Sequence, residues 1–264
     1  MPVHGPLRTI SLHDKPAAFI SPLTIDIEKR SEPASETFGL SNSGLFAALE
    51  QDEIPYTAFE IALRSVSMEG AYNRPDEATA SIDPEEIMDF ADYPFEVQKL
   101  IHKALQLTEL NLNYLYGSAD PGKGGMDCSG AIYFLLRQAG LKPPRQANSM
   151  YRWAWQNGRF HAVISSNQTT FELSRLHPGD LLFWTGTYAV DRDPPVTHVM
   201  LYLGRHKASG NMIAFGSSNG RVYQGIQRNG VSVFDFRLTP PEPENDCARF
   251  IGYASIPGLS NPSR

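Results

Sequence analysis

"GGMDCSGAIYFLLRQAG", residues 124–140, sets one of the chain's two cysteines between an aspartate and a serine, directly ahead of an apolar run. Ile132, Leu135, Leu136 and Ala139 fall at i, i+3, i+4 and i+7, with Arg137 and Gln138 on the other side. That spacing predicts a helix with one buried face. Gly140 suits its C-terminal cap, because glycine enters the left-handed conformation without a Cβ clash. Cys128 then stands at the helix N-terminal end. Unpaired N–H groups and the positive end of the helix dipole stabilise a thiolate there, and the thiolate is the nucleophilic form. Asp127 opposes thiolate formation unless it caps the helix, facing its amides, or is held by a basic group. Position alone leaves two readings open: a nucleophile, or a capping aspartate followed by a small buried hydrophobe.

Upstream, "FEVQKLIHKALQLTEL" spaces Val97, Leu100, Ile101 and Leu105 at helical intervals and predicts a second helix. After residue 178 the period changes. "GDLLFW", "THVMLYLG", "NMIAFGS", "GRVYQGI", "VSVFDFR" and "RFIGYASI" are short, β-branched and aromatic, and predict an antiparallel sheet. The pairs Asn219-Gly220 and Asn229-Gly230 are read as tight hairpin turns. Helices followed by strands indicate an α+β fold. "AFEIALRSVSME" reads as a further helix within an uneven, proline- and serine-bearing N-terminal region. "RPDEATASIDPEEIMDFADYP", acidic with three prolines, reads as the linker that follows. The expected division is an accessory region over 1–94 and the main domain over 95–264.

The 264 residues suffice for two modest domains, and 41% hydrophobic with 20% charged residues is the composition of a folded globule. Net charge is −6, from 23 basic and 29 acidic residues, with no basic cluster to track a phosphate backbone, so nucleic acid is not an expected partner. Cys128 and Cys247 form neither a disulfide framework nor a zinc-site spacing, and no cofactor or metal is expected. No run approaches the roughly 20 apolar residues of a membrane span, and the first residues show no uninterrupted apolar signal segment.

His198 bears on the two readings of Cys128. In "THVMLYLG", alternation puts His198, Met200 and Tyr202 on one face of a strand and Val199, Leu201 and Leu203 on the other. A histidine at a strand edge is often structural. A cysteine at a helix start, followed about 70 residues later by a strand histidine, is nonetheless the order in which papain-like enzymes carry a nucleophile and its base.

Three separated segments, "LNYLYGSADPGKGGMDCSGAIYFLLRQAGLKPPR", "LHPGDLLFW" and "THVMLYLG", resemble in order the NlpC-type cysteine peptidases of bacterial cell walls, over about residues 95–256. The resemblance implies a papain-like α+β fold, with N-terminal helices packed on an antiparallel sheet. It also implies hydrolysis of peptidoglycan stem peptides, commonly between D-γ-glutamyl and a diamino acid, in the periplasm or outside the cell. Cys128 would be the nucleophile and His198 its general base. Tyr114 matches a family tyrosine beside the cysteine, while Tyr116 is read as a packed core aromatic. Asp127 and Ser129 match substrate-lining positions, and helix capping is compatible with both. Asp180 matches the pattern too, but is read as a turn-former.

The sequence departs from the family at the third catalytic position, where a polar residue usually orients the imidazole. That place aligns at or near Ala214, and Ser217, Ser218 or Asn219 are the candidates to replace it. His102, His161, His177 and His206 show no ligand spacing and are read as surface residues. Tyr151, Trp153 and Trp155 are read as packing, and Cys247 as a bystander. Two readings compete with the hydrolase. One is a wall-binding or regulatory module of low turnover, and the other a secreted toxin or amidase that uses the same pair. A permuted acyltransferase ranks last, because its histidine would precede the cysteine.

Overall fold

The computed structural model describes residues 78–238 and 248–259. The helix read over "AFEIALRSVSME", most of the accessory region and Cys247 lie outside the described residues. Among the described residues three α-helices precede the main sheet: α1 (Phe95–Thr108), α2 (Cys128–Gln138) and α3 (Ala147–Gln156). A short parallel pair, β1 (Asn113–Tyr114) with β2 (Gly125–Met126), sits between α1 and α2. Six strands then form one antiparallel sheet in the order β3-β8-β4-β5-β6-β7. They are β3 (Phe160–Ala162), β4 (Leu181–Thr185), β5 (Val196–Arg205), β6 (Met212–Tyr223), β7 (Ile226–Asp235) and β8 (Arg249–Ala254). The α+β class and the helix-on-sheet arrangement are those expected.

The alternation along β5 sorts the core into two clusters. Val199, Leu201 and Leu203 pack with Ile132, Leu135 and Leu136 of α2, all without solvent exposure. Met200 and Tyr202 pack on the other face with Trp184, Phe234, Phe236 and Phe250. Truncating a side chain such as Leu135 to alanine in this seam costs about 2–5 kcal/mol, from lost transfer energy plus the cavity left behind. α2 closes as its sequence indicates. Gly140 takes φ +77°, its N–H bonds Arg137 O at 3.0 Å, and the Leu141 N–H bonds Leu136 O at 3.0 Å. This is the Schellman pattern.

Three local expectations are corrected. "NMIAFGS" and "GRVY" are one long strand, β6, and both Asn-Gly pairs lie inside the β6/β7 ladder, with Asn219 opposite Asn229. The turn is made by Gln224 and Gly225 (φ 50° and 82°), the two positive-φ positions of a tight hairpin. The positive φ of Gly220 is spent where the register slips between Asn219 and Val222, and that of Gly230 within the ladder opposite Ser218. The described part of the stretch read as a linker is bound to the domain. Ala78 O and Ala80 O accept from Asn229 N (2.8 Å) and Val233 N (2.9 Å) along β7, and Ile87 is buried. His206 sits at a hairpin tip as read, but it is buried, with Nδ1 3.1 Å from Ser209 Oγ and Nε2 3.5 Å from Glu86.

Candidate active site

Cys128 is the first residue of α2, and Asp127 is its N-cap. Asp127 is held from several directions. Oδ1 accepts from Gly130 N at 2.6 Å, from Ser129 Oγ at 3.2 Å and from Arg145 Nη1 at 3.1 Å. Oδ2 accepts from Gly117 N and Arg145 Nη2, both at 2.9 Å. The bidentate guanidinium pair answers the electrostatic objection raised by the sequence: the carboxylate faces helix amides and a cation. Arg145 also donates to Ser129 Oγ at 3.0 Å, so Ser129 is part of the cap network. Gly130 is required by close approach, since a Cβ there would stand 2.0 Å from Ser118 O. The 117–118 segment therefore lies directly on the helix start.

A cleft of about 220 Å³ opens at this end of α2, lined among others by Tyr114, Cys128, Ser129, Arg145, Tyr188 and Thr197. The thiol is 5% exposed, and its Sγ bonds Thr197 O at 3.8 Å, so the sulfur meets β5 at the residue before His198. Burial pushes the thiol up to about 11, and the Asp127 charge adds to this. The amides of Val199 and Ser129 and the Arg145 charge act in the opposite direction. Burial also raises the Tyr114 phenol, with the neighbouring Cys128 contributing next. Tyr116, read as a core aromatic, is instead 75% exposed and lines the cleft, because the two-residue β1 ends before it.

His198 is 6% exposed and lies opposite Trp184 in the β4/β5 ladder, its ring meeting the indole edge-to-face at 5.6 Å. Its Nε2 is buried and has no hydrogen-bond partner. Burial holds the imidazole well below its usual range, and the Arg221 charge pushes the same way. Both members of the pair therefore rest uncharged near neutral pH. Thr197, rather than His198, is the β5 residue that lines the cleft.

The candidates for the third position fall in different places. Ala214 faces the cluster away from the helices and pairs with Tyr202. Ser217 is fully buried and donates to Met126 O at 2.6 Å. Ser218 is buried and Asn219 exposed. Asp180 accepts from His177 N at 2.9 Å, closing the turn before β4. Tyr151 packs edge-to-face on Phe160 and Phe183. Among the described residues no group of acidic, histidine and cysteine side chains is arranged to hold a metal ion, and no helix is long and apolar enough to cross a membrane. Sequence reading assigned no role to Arg145, Arg221 or Trp184. Arg145 stands 18 residues from Asp127 with no periodicity to link them, Trp184 faces His198 only through the β4/β5 register, and Arg221 lies over Trp184 through a tertiary contact.

The site thus sets a helix-borne cysteine against a strand of an antiparallel sheet, one residue from a histidine. The sequence profile of the NlpC/P60 family matches residues 111–232, and members of that family are generally cysteine peptidases and peptidoglycan hydrolases. No curated protein matches the chain. Among solved structures it is similar to a lipoprotein-like NLP/P60 protein of Staphylococcus aureus, with 18% identity, 81% of this chain and 74% of that one covered, and TM-score 0.40. It is also similar to an NlpC/P60 family protein of Bacillus cereus, with 20% identity, 64% and 41% covered, and TM-score 0.37. A third similar structure is the peptidoglycan hydrolase RipB of Mycobacterium tuberculosis, with 17% identity, 83% and 94% covered, and TM-score 0.32.

Proposed function

We propose that the protein is a cysteine endopeptidase acting on peptidoglycan stem peptides, at the bond between D-γ-glutamyl and a diamino acid, in the periplasm or outside the cell. The observation that carries this reading is the Cys128 thiol at the N-terminus of α2, in the wall of the cleft and bonded to β5 next to His198. The proton of Cys128 passes to the His198 imidazole as the sulfur attacks the amide carbon. Starting from a neutral pair, proton transfer and attack belong to one general-base step rather than to a standing ion pair. The backbone N–H of Cys128, at the helix start, is the oxyanion donor, with the Tyr114 hydroxyl beside it. His198 then protonates the leaving amine, and water clears the thioester. Asp127 and Ser129 line the substrate's path from within the cap network, and residues 1–94 act as an accessory region to the domain.

One observation favours a second reading. With Ala214 at the third position and Nε2 unpartnered, a low-turnover wall-binding module on the same fold is the alternative. Digestion of purified muropeptides separates the two. Cleavage at one bond, lost in Cys128→Ala, supports the peptidase, whereas retention of intact muropeptide by both forms supports the binder. A secreted toxin or amidase with the same pair would leave stem peptides intact and cut another amide.

A further inference from the structure

An imidazole that must accept a proton from a thiol needs its plane and tautomer fixed, and a hydrogen bond at the far nitrogen ordinarily does this. Here no side chain of the expected third position does so: Ala214 is apolar, and the Ser217 hydroxyl is committed to Met126 O. What touches the imidazole is Trp184, its neighbour across the β4/β5 ladder, edge-to-face at 5.6 Å. Trp184 is itself held by Phe250 at 5.1 Å and Phe236 at 6.0 Å, and the Arg221 guanidinium lies over its ring, 4.4 Å from the centroid. Arg221 is partly buried and forms no ion pair with a carboxylate among the described residues. A cation withdrawn from water without a counter-ion is costly, and the indole face is the compensation this site provides.

We propose that Trp184 and Arg221 are positioning residues for His198 and perform the task of the missing hydrogen-bonding partner, the indole edge setting the imidazole plane and the guanidinium pinning the indole. This rests on the assignment of Cys128 and His198 made above. The same charge disfavours the imidazolium and so keeps His198 in the form that accepts a proton. The charged group bearing on the ring is Arg221 from β6, which is itself coupled to Cys128 of α2; β4 contributes the uncharged Trp184.

The test compares the full chain with Arg221→Gln, Arg221→Lys and Trp184→Phe, each first shown to be folded by near-ultraviolet circular dichroism. Long-range proton–nitrogen spectra of His198 report tautomer and titration without any substrate, and muropeptide kinetics report turnover. Arg221→Gln is expected to move the His198 titration to higher pH and to mix its tautomers, while kcat falls about tenfold with KM within about twofold. Arg221→Lys should restore most of both, and Trp184→Phe should keep the titration near its original place while mixing the tautomers. An Arg221→Gln protein with the wild-type titration and tautomer, or an Arg221→Lys protein as impaired as Arg221→Gln, overturns the proposal. If the wild type releases no peptide product, the peptidase reading fails, and the spectra of His198 still decide the positioning role.

Discussion

Replacing Asp127 with alanine removes the cap of α2 and the anchor of the loop crossing it, and the size of the loss follows from its partners. The lost N-cap bond to Gly130 N is worth about 1 kcal/mol. The charge-assisted bond to Gly117 N contributes about 1.5–3 kcal/mol. The pair with Arg145, whose side chain is 32% exposed, is partly screened by solvent and adds at most about 1 kcal/mol. The sum, about 2.5–5 kcal/mol, is a large share of the roughly 5–15 kcal/mol that holds a domain folded. Urea denaturation of the wild type, Asp127→Ala, Asp127→Asn and Arg145→Met measures it. Asp127→Asn keeps an oxygen toward Gly130 N and should lose less than alanine. A loss below about 1 kcal/mol for Asp127→Ala would refute the view that this network fixes the nucleophile's helix.

Further outcomes follow from the same geometry. With its thiol pushed up to about 11, Cys128 in a Cys247→Ser background should react with iodoacetamide about tenfold faster per pH unit between roughly pH 7 and 9.5. A plateau reached by about pH 8 would instead mean a standing thiolate. Gly130→Ala forces a Cβ to within 2.0 Å of Ser118 O, so it should cost more than the roughly 1–3 kcal/mol usual for overpacking, read as a fall in thermal midpoint. Ser217→Ala leaves Met126 O without its 2.6 Å donor and should lower stability by about 1–3 kcal/mol in urea. A near-complete loss of turnover with unchanged stability would mean that Ser217 is the orienter.

The helix of the nucleophile was legible in sequence because its signals are local. Apolar spacing, an N-cap aspartate and a glycine in the Schellman position all act within one segment, and α2 begins and ends where they indicate. The faces of β5 were legible for the same reason. The hairpins were not. Asn-Gly is a strong turn former, yet the ladder absorbs both pairs, Asn219-Gly220 at a register slip and Asn229-Gly230 in register, and the turn fell to Gln224-Gly225. Tyr116 was misjudged because its exposure depends on where the short β1 stops rather than on its own chemistry. Arg145, Trp184 and Arg221 act through tertiary contacts, for which a single sequence has no periodic signature.

The most direct measurement is mass analysis of purified muropeptides incubated with the wild-type protein and with Cys128→Ala. The account predicts one new pair of products, split between the γ-linked glutamate and the diamino acid, from the wild type and none from the variant. Equal digestion by both proteins, or wild-type cleavage only outside the stem peptide, would contradict it.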